Sequence, residues 1–215
     1  MDELWCLGDV VGYGPRPNEC ATLVRERAKI CLAGNHDLVV LGKIESDAFV
    51  GEAAAAARWT TRVLEHGVRE FLRSLVPRAE VEGAQLFHGS PLDPVWDYVL
   101  TEPAARRSFA ATSAPLVLVG HSHIALGIVE GGGELHGGQA PEGTELVLGA
   151  DRLLLNPGSV GQPRDGDPRA AWLEIDKGSG RARFRRTSYP VEQTQAEMRE
   201  RGLPEALAAR LSFGV

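Results

Sequence analysis

Seven side chains able to hold a metal ion or move a proton stand directly after short apolar runs in the sequence. Leu4 to Leu7 ends in Gly8-Asp9, and Ile30 to Ala33 ends in Gly34-Asn35-His36-Asp37. Gln85 to Phe87 ends in His88-Gly89-Ser90-Pro91, and Leu116 to Val119 stops at Gly120-His121-Ser122-His123. Imidazole, carboxylate and amide oxygen together suit borderline divalent metals. Of the six histidines, His66 and His136 alone lack this setting. Each motif by itself has a plainer reading. An aspartate after a strand often forms a turn or a cap, Asn35 suits a left-handed turn, and a strand-end histidine such as His88 is commonly a hydrogen-bonded structural group. The pair His121 and His123 is harder to set aside, because two imidazoles flanking a small residue project into one neighbourhood and repel when protonated. Four such tips in series argue against coincidence.

The elements that must position these tips are legible in outline. A helix-like stretch from Pro17 to Ala28 separates the first two apolar runs, which reads as strand, helix, strand. Such a connection makes the strands parallel and places both polar tips on one edge, where α/β proteins carry their chemistry. Residues 46–75 are Ala-rich and helical, a cap-like segment with Ser46-Asp47 as N-cap and Gly67 as a break between two helices. Ala79 to Glu82 reads as a strand and Glu102 to Ala111 as a helix. Ile124 to Glu130, Glu145 to Leu148, Arg152 to Leu155, Ala171 to Ile175 and Arg181 to Thr187, separated by Gly-rich punctuation, suggest a second, more antiparallel sheet. Val191 to Arg201 and Pro204 to Leu211 close the chain as two helices about Gly202. No long linker interrupts the sequence, so one α/β domain over residues 1–215 is expected.

Taken in order, Gly8-Asp9-Val10-Val11-Gly12-Tyr13-Gly14, Gly34-Asn35-His36-Asp37, His88-Gly89-Ser90-Pro91, Gly120-His121-Ser122-His123 and Asn156 to Arg164 resemble the motifs of the calcineurin-like metallophosphoesterases. The similarity is greatest to the small bacterial and archaeal phosphodiesterase-like branch. It implies a two-sheet β-sandwich flanked by helices, with a two-metal site at the strand ends. By resemblance, Asp9 bridges the metals, Asn35, His88 and His121 complete one of them, and His123 ligates the other. His36 resembles the histidine that hydrogen-bonds the phosphate or protonates the leaving oxygen, and Asp37 would orient it. The chemistry has a physical reason: a phosphodiester repels an attacking hydroxide, and two divalent ions about 3.5–4 Å apart neutralise that charge and acidify a bridging water. The nucleophile is then water, in-line at phosphorus, and Ser90, Ser122 and Ser159 are read as structural hydroxyls. Tyr13 and Arg164 are substrate-binding candidates, beside the plainer readings of core packing and a surface salt bridge.

The family pattern also begins with an Asp-x-His strand that this sequence does not show. The resemblance therefore implies a fold without its first strand and helix, one metal rather than two, and a late start site or a fragment as the explanation. An exposed sheet edge would then favour homo-oligomers through strand pairing. The function expected is a metal-dependent phosphoesterase acting on small phosphodiesters with Mn, Fe, Ni or Zn. The alternative is an inactive metal-binding or protein-interaction scaffold of the same fold.

Composition narrows the remaining classes. With 215 residues, a net charge of −6 and 43% hydrophobic residues, the chain is an ordinary globule with no basic run to clamp nucleic acid. Apolar stretches are too short to span a bilayer, so no membrane partner is expected. Cys6, Cys20 and Cys31 are odd in number and form no C-x-x-C pair, which favours a reducing cytoplasm over a disulfide framework. Cys6 and Cys31 read as buried small hydrophobes, and Trp5, Trp59, Trp96 and Trp172 as core or pocket walls.

Overall fold

A computed structural model describes residues 3–45 and 49–215, so the expected cap at Ser46-Asp47 lies outside the described residues. The chain folds as two compact units: Met1–Pro77 with Pro190–Ser212, and Arg78–Tyr189 with Phe213–Val215.

In the first unit, strand β1 (Leu4–Cys6) runs parallel to β2 (Ala28–Cys31), pairing Leu4 with Ala28, Trp5 with Ile30 and Cys6 with Cys31. Helix α1 (Pro17–Arg27) joins them. It starts on a proline, carries Glu19 in its first turn and Arg25 and Arg27 in its last, and so matches the helix dipole at both ends. The six-residue helix α2 (Asn35–Val40) follows β2. Helices α3 (Gly51–Val63) and α4 (His66–Ser74) are separated by Leu64 and Glu65 in extended conformations. Gly67, expected at this break, lies instead in the first turn of α4. Asn18 shapes the break: its Nδ2 donates to the Val63 carbonyl and its Oδ1 accepts from Glu65 N–H, each at 2.9 Å.

Helices α6 (Val191–Glu200) and α7 (Glu205–Ala209) return to this unit, with α5 (Glu102–Ala110) belonging to the other. Gly202, at φ 71°, ends α6, and Leu203 N–H reaches back to the Met198 carbonyl at 2.9 Å. Only a residue tolerant of the left-handed region closes a helix in this way. Ala56 of α3 packs with Met198, Leu203, Leu207, Ala208 and Leu211, and Tyr13 and Trp59 lean on the same cluster.

The second unit holds two sheets. The larger contains β3 (Arg78–Val81), β4 (Ala84–Phe87), β5 (Leu116–Val119), β6 (Ala125–Gly131), β7 (Glu134–Gln139) and β9 (Arg152–Pro157) in the order β3-β4-β5-β9-β6-β7. Strands β4, β5 and β9 are mutually parallel, and the flanking pairs are antiparallel. The smaller is antiparallel, with β8 (Glu145–Val147), β10 (Ala170–Asp176) and β11 (Arg181–Thr187) in the order β10-β11-β8. The sheets face one another closely: a Cβ added at Gly127 of β6 would stand 2.9 Å from Leu146 and 3.5 Å from Phe184. Helix α5 (Glu102–Ala110), capped by Thr101, covers the other face of the larger sheet. There Ala104, Ala105 and Phe109 pack on Val117, Val119, Leu126 and Leu154.

Two sequence expectations change. The runs that became β6 and β9 join the first sheet of this unit rather than a second one, because β9 slots between β5 and β6 with Leu116 opposite Leu153. Leu153, Leu154 and Leu155 are all buried, as befits a strand covered on both faces. Strand β7 was not expected at all, since its Leu-His-Gly-Gly centre lacks a strand's side chains. Gly137 is required there because a Cβ would lie 2.1 Å from the Gly127 carbonyl oxygen.

Candidate metal and phosphoester site

In the first unit the parallel pairing of β1 and β2 brings Gly8-Asp9 and Gly34-Asn35 to the same end. The two loops are interlocked. A Cβ on Gly34 would come within 2.0 Å of Asp9 Oδ1, and that oxygen accepts a hydrogen bond from His36 N–H at 2.9 Å. Asn35, His36 and Asp37, in the first turn of α2, are all buried. Asp37 accepts from the backbone N–H groups of Val10 at 3.3 Å, Val11 at 3.1 Å and Gly34 at 2.9 Å. Its carboxylate thus clamps the two loops through backbone amides. Burial, and then the charge of Asp9, push the Asp37 carboxyl up to about 7 in opposition to those three amides.

His36 is held by aromatic neighbours. Tyr13 meets its ring edge-on, with centroids 4.4 Å apart, and Phe49 lies tilted at 4.4 Å. Gly12 lets the chain pass here, because a Cβ would sit 3.0 Å from His36 Nδ1, and Thr60 of α3 fastens the same loop by donating to the Gly12 carbonyl at 2.9 Å. Tyr13, expected at the substrate, therefore serves at least as a wall for His36.

In the second unit, parallel β4 and β5 deliver His88 and the His121-Ser122-His123 turn to one sheet end, where Gly120 N–H donates to the His88 carbonyl at 2.9 Å. The His88 and His121 rings have centroids 5.0 Å apart. Tyr98 stacks on His121 at 4.1 Å and 15°, and Trp96 stands edge-on at 6.4 Å. The turn is fastened by Asn156, whose Nδ2 donates to the Gly120 carbonyl at 2.7 Å and to Ser122 Oγ at 3.0 Å. His123 Nδ1 lies 2.8 Å from the Gln162 carbonyl. A ring N–H given to that carbonyl leaves Nε2 with its lone pair outward, the arrangement of a metal-ligating histidine. Arg164 places its guanidinium on Gln162 Oε1, at 2.9 Å from Nη2, and donates its backbone N–H to the His123 carbonyl.

The serines behave as structural hydroxyls. Ser90 Oγ accepts from Leu92 and Asp93 N–H and donates to Asp97, Ser122 receives Asn156, and Ser159 Oγ accepts from Gln162 N–H.

Backbone strain marks the same residues. Among the described non-glycine residues, positive φ occurs only at Asp9 (53°), His121 (59°) and His123 (61°). Left-handed backbone costs an ordinary residue about 1–2 kcal/mol, and such outliers gather at functional sites. Half-buried and buried carboxylate and imidazole groups on strained turns, beside the buried carboxamide of Asn35, fit a divalent metal chemically. Tyr98 was not singled out from sequence, and Asn156 and Gln162 entered only as members of the Asn156 to Arg164 motif, with no role assigned. Asn156 carried a local signal, as the first residue of an Asn-Pro-Gly-Ser turn.

A fold of sheets flanked by helices with such strand-end turns is that of the metallophosphoesterases, and comparison agrees. The family model for the calcineurin-like phosphoesterase superfamily domain matches residues 1–178. The chain is 35% identical, over its full length and 87% of the relative's, to an uncharacterized protein of Methanocaldococcus jannaschii. Among solved structures it is similar to a metallophosphoesterase from Sphaerobacter thermophilus, with TM-score 0.90 and 40% identity over all of this chain and 89% of that one. A hypothetical protein from Pyrococcus horikoshii shares the fold, with TM-score 0.77 and 18% identity over all of this chain and 86% of that one. The chain therefore belongs to the calcineurin-like phosphoesterase superfamily, whose members are metal-dependent phosphoester hydrolases. No helix among the described residues is long and apolar enough to cross a membrane.

Proposed function

We propose that the protein is a phosphodiesterase in which Asp9, Asn35, His88, His121 and His123 are metal ligands. The observation that carries this reading is that, among the described non-glycine residues, left-handed backbone occurs only at three of those five. When bound, divalent ions supply charge neutralisation at the ester and an acidified water for in-line attack. The chain's own residues do the rest. His36, fixed between Tyr13 and Phe49, hydrogen-bonds a phosphoryl oxygen or returns a proton to the leaving oxygen. Asp37 is a positioning residue that keeps the Asp9 and Asn35 loops in register through three amides. Arg164 is assigned to a phosphate oxygen, its fork braced on Gln162. The preference for diesters rests on the likeness to the phosphodiesterase-like branch, and the odd set of cysteines supports a cytoplasmic location.

The test is hydrolysis of bis(p-nitrophenyl) phosphate with Mn²⁺, run beside the monoester p-nitrophenyl phosphate. The expected result is metal-dependent turnover, faster on the diester, that falls about 10²-fold or more in His36→Ala and comparably in Asn35→Ala. A folded, Mn²⁺-treated protein without activity, or unchanged rates in both variants, overturns the assignment. Faster monoester turnover overturns the diester preference alone.

A further inference from the structure

Cys6 and Cys31 end β1 and β2, and they are register partners. Partners on adjacent strands have Cα atoms about 4.8 Å apart and side chains on one face, within the roughly 4.4–6.8 Å that a disulfide spans. Both thiols are free and half-buried, within reach of a small oxidant, whereas Cys20 is exposed on α1. Each thiol donates only a long bond to a nearby backbone carbonyl, Cys6 to Gly8 at 4.0 Å and Cys31 to Leu32 at 3.6 Å.

We propose that Cys6 and Cys31 are a redox modification site, closing to a reversible intramolecular disulfide when the cell produces hydroperoxide. The Cys6 sulfur attacks the terminal peroxide oxygen, the O–O bond breaks, and the alcohol or water leaves with a proton, which makes Cys6 a sulfenic acid. The Cys31 sulfur then attacks the Cys6 sulfur, the S–O bond breaks, and hydroxide departs as water with the Cys31 proton. Two thiols have given two electrons to one peroxide, and a dithiol reductant reverses the change. The order of attack follows from the influence of each thiol on its register partner, which holds Cys6 below its ordinary value and raises Cys31 above it. The site differs from the metal ligands but is coupled to them along the chain. Cys6 stands three residues before Asp9, and Cys31 four before Asn35, so the bond ties together the strands that present both loops.

The test uses the full chain carrying Cys20→Ser, which removes intermolecular bridging, treated with an equivalent of hydrogen peroxide. The intact mass should fall by about 2 Da, both remaining thiols should cease to titrate, and digestion should yield Cys6 and Cys31 peptides joined by a bond that dithiothreitol breaks. Adding Cys31→Ser should stop the reaction at a Cys6 sulfenic acid trapped by dimedone. The proposal is overturned if both thiols still titrate after an exposure that fully oxidises free cysteine. It is equally overturned if Cys6 proceeds to sulfinic acid while the Cys31 thiol survives. Neither readout depends on phosphoesterase activity.

Discussion

Adding one methyl group at Gly34 tests the interlocked loops directly. Gly34 has an ordinary φ of −96°, so alanine fits the backbone and the whole effect is steric. Its Cβ would meet Asp9 Oδ1 at 2.0 Å and Asp9 N at 2.4 Å, where real Cβ contacts stay beyond 3.0 Å. The loops must open by about 1 Å, which stretches the 2.9 Å bond from His36 N–H to Asp9 past any useful length. Losing a hydrogen bond to a charged group costs about 1.5–3 kcal/mol, and overpacking adds about 1–3 kcal/mol. For a chain of this size these effects lower the melting temperature by roughly 6–20 °C. Gly14→Ala is the control, since nothing lies within 4 Å of its Cβ, and it should melt with the parent or slightly above it. Differential scanning calorimetry of the three proteins, with Mn²⁺ titration of each, checks the argument. Gly34→Ala should also lose about 10–100-fold in metal affinity through the displaced Asp9. If it melts within about 2 °C of the Gly14→Ala control, the loops are slack and the reasoning fails.

Two further outcomes follow from groups that fasten the turns. Asp37 has an ordinary value of 3.8 and is raised to about 7 in the folded chain. The folded state therefore takes up a proton between those limits, and the stability this carboxyl contributes is complete below the lower one and lost as pH rises through about 7. In EDTA, parent protein should gain on Asp37→Asn by up to a few kcal/mol as pH falls from about 8 to 5, and a gap that stays constant in urea melts counts against it. Asn156→Asp keeps the shape but sets an oxygen against the Gly120 carbonyl, now 2.7 Å from a donor. It should destabilise by about 2–4 kcal/mol, and thermal melting equal to the parent's would show that Asn156 does not hold the His121 turn.

The motif residues were legible because each follows an apolar run whose end is marked by glycine, and parallel pairing of β1 with β2 and of β4 with β5 does the gathering within each unit. Less legible was whatever depends on packing. Strand β7 has glycines where a strand should have side chains, and only the close approach of Gly127 explains them. The helix break at Leu64 comes from Asn18, distant in sequence, whereas Gly67 was the local cue. Asp37 carried the right chemistry for a histidine partner, but its three bonds to backbone amides depend on how the two loops fold together and left no local signal. Cys6 and Cys31 read as separate hydrophobes because strand register, which makes them neighbours, is invisible in a linear sequence.

The left-handed backbone at Asp9, His121 and His123 bears on how this lineage can change over generations. A glycine or asparagine at any of the three would relax the chain by about 1 kcal/mol, so random drift pushes these positions toward the relaxed residues whenever catalysis is not selected. On the proposed assignment, descendants that keep the acid and both imidazoles against that pressure would still be under selection for the metal site. Those that settle on glycine there would be sturdier folds without the proposed ligands, a difference that can be read at three positions without an assay.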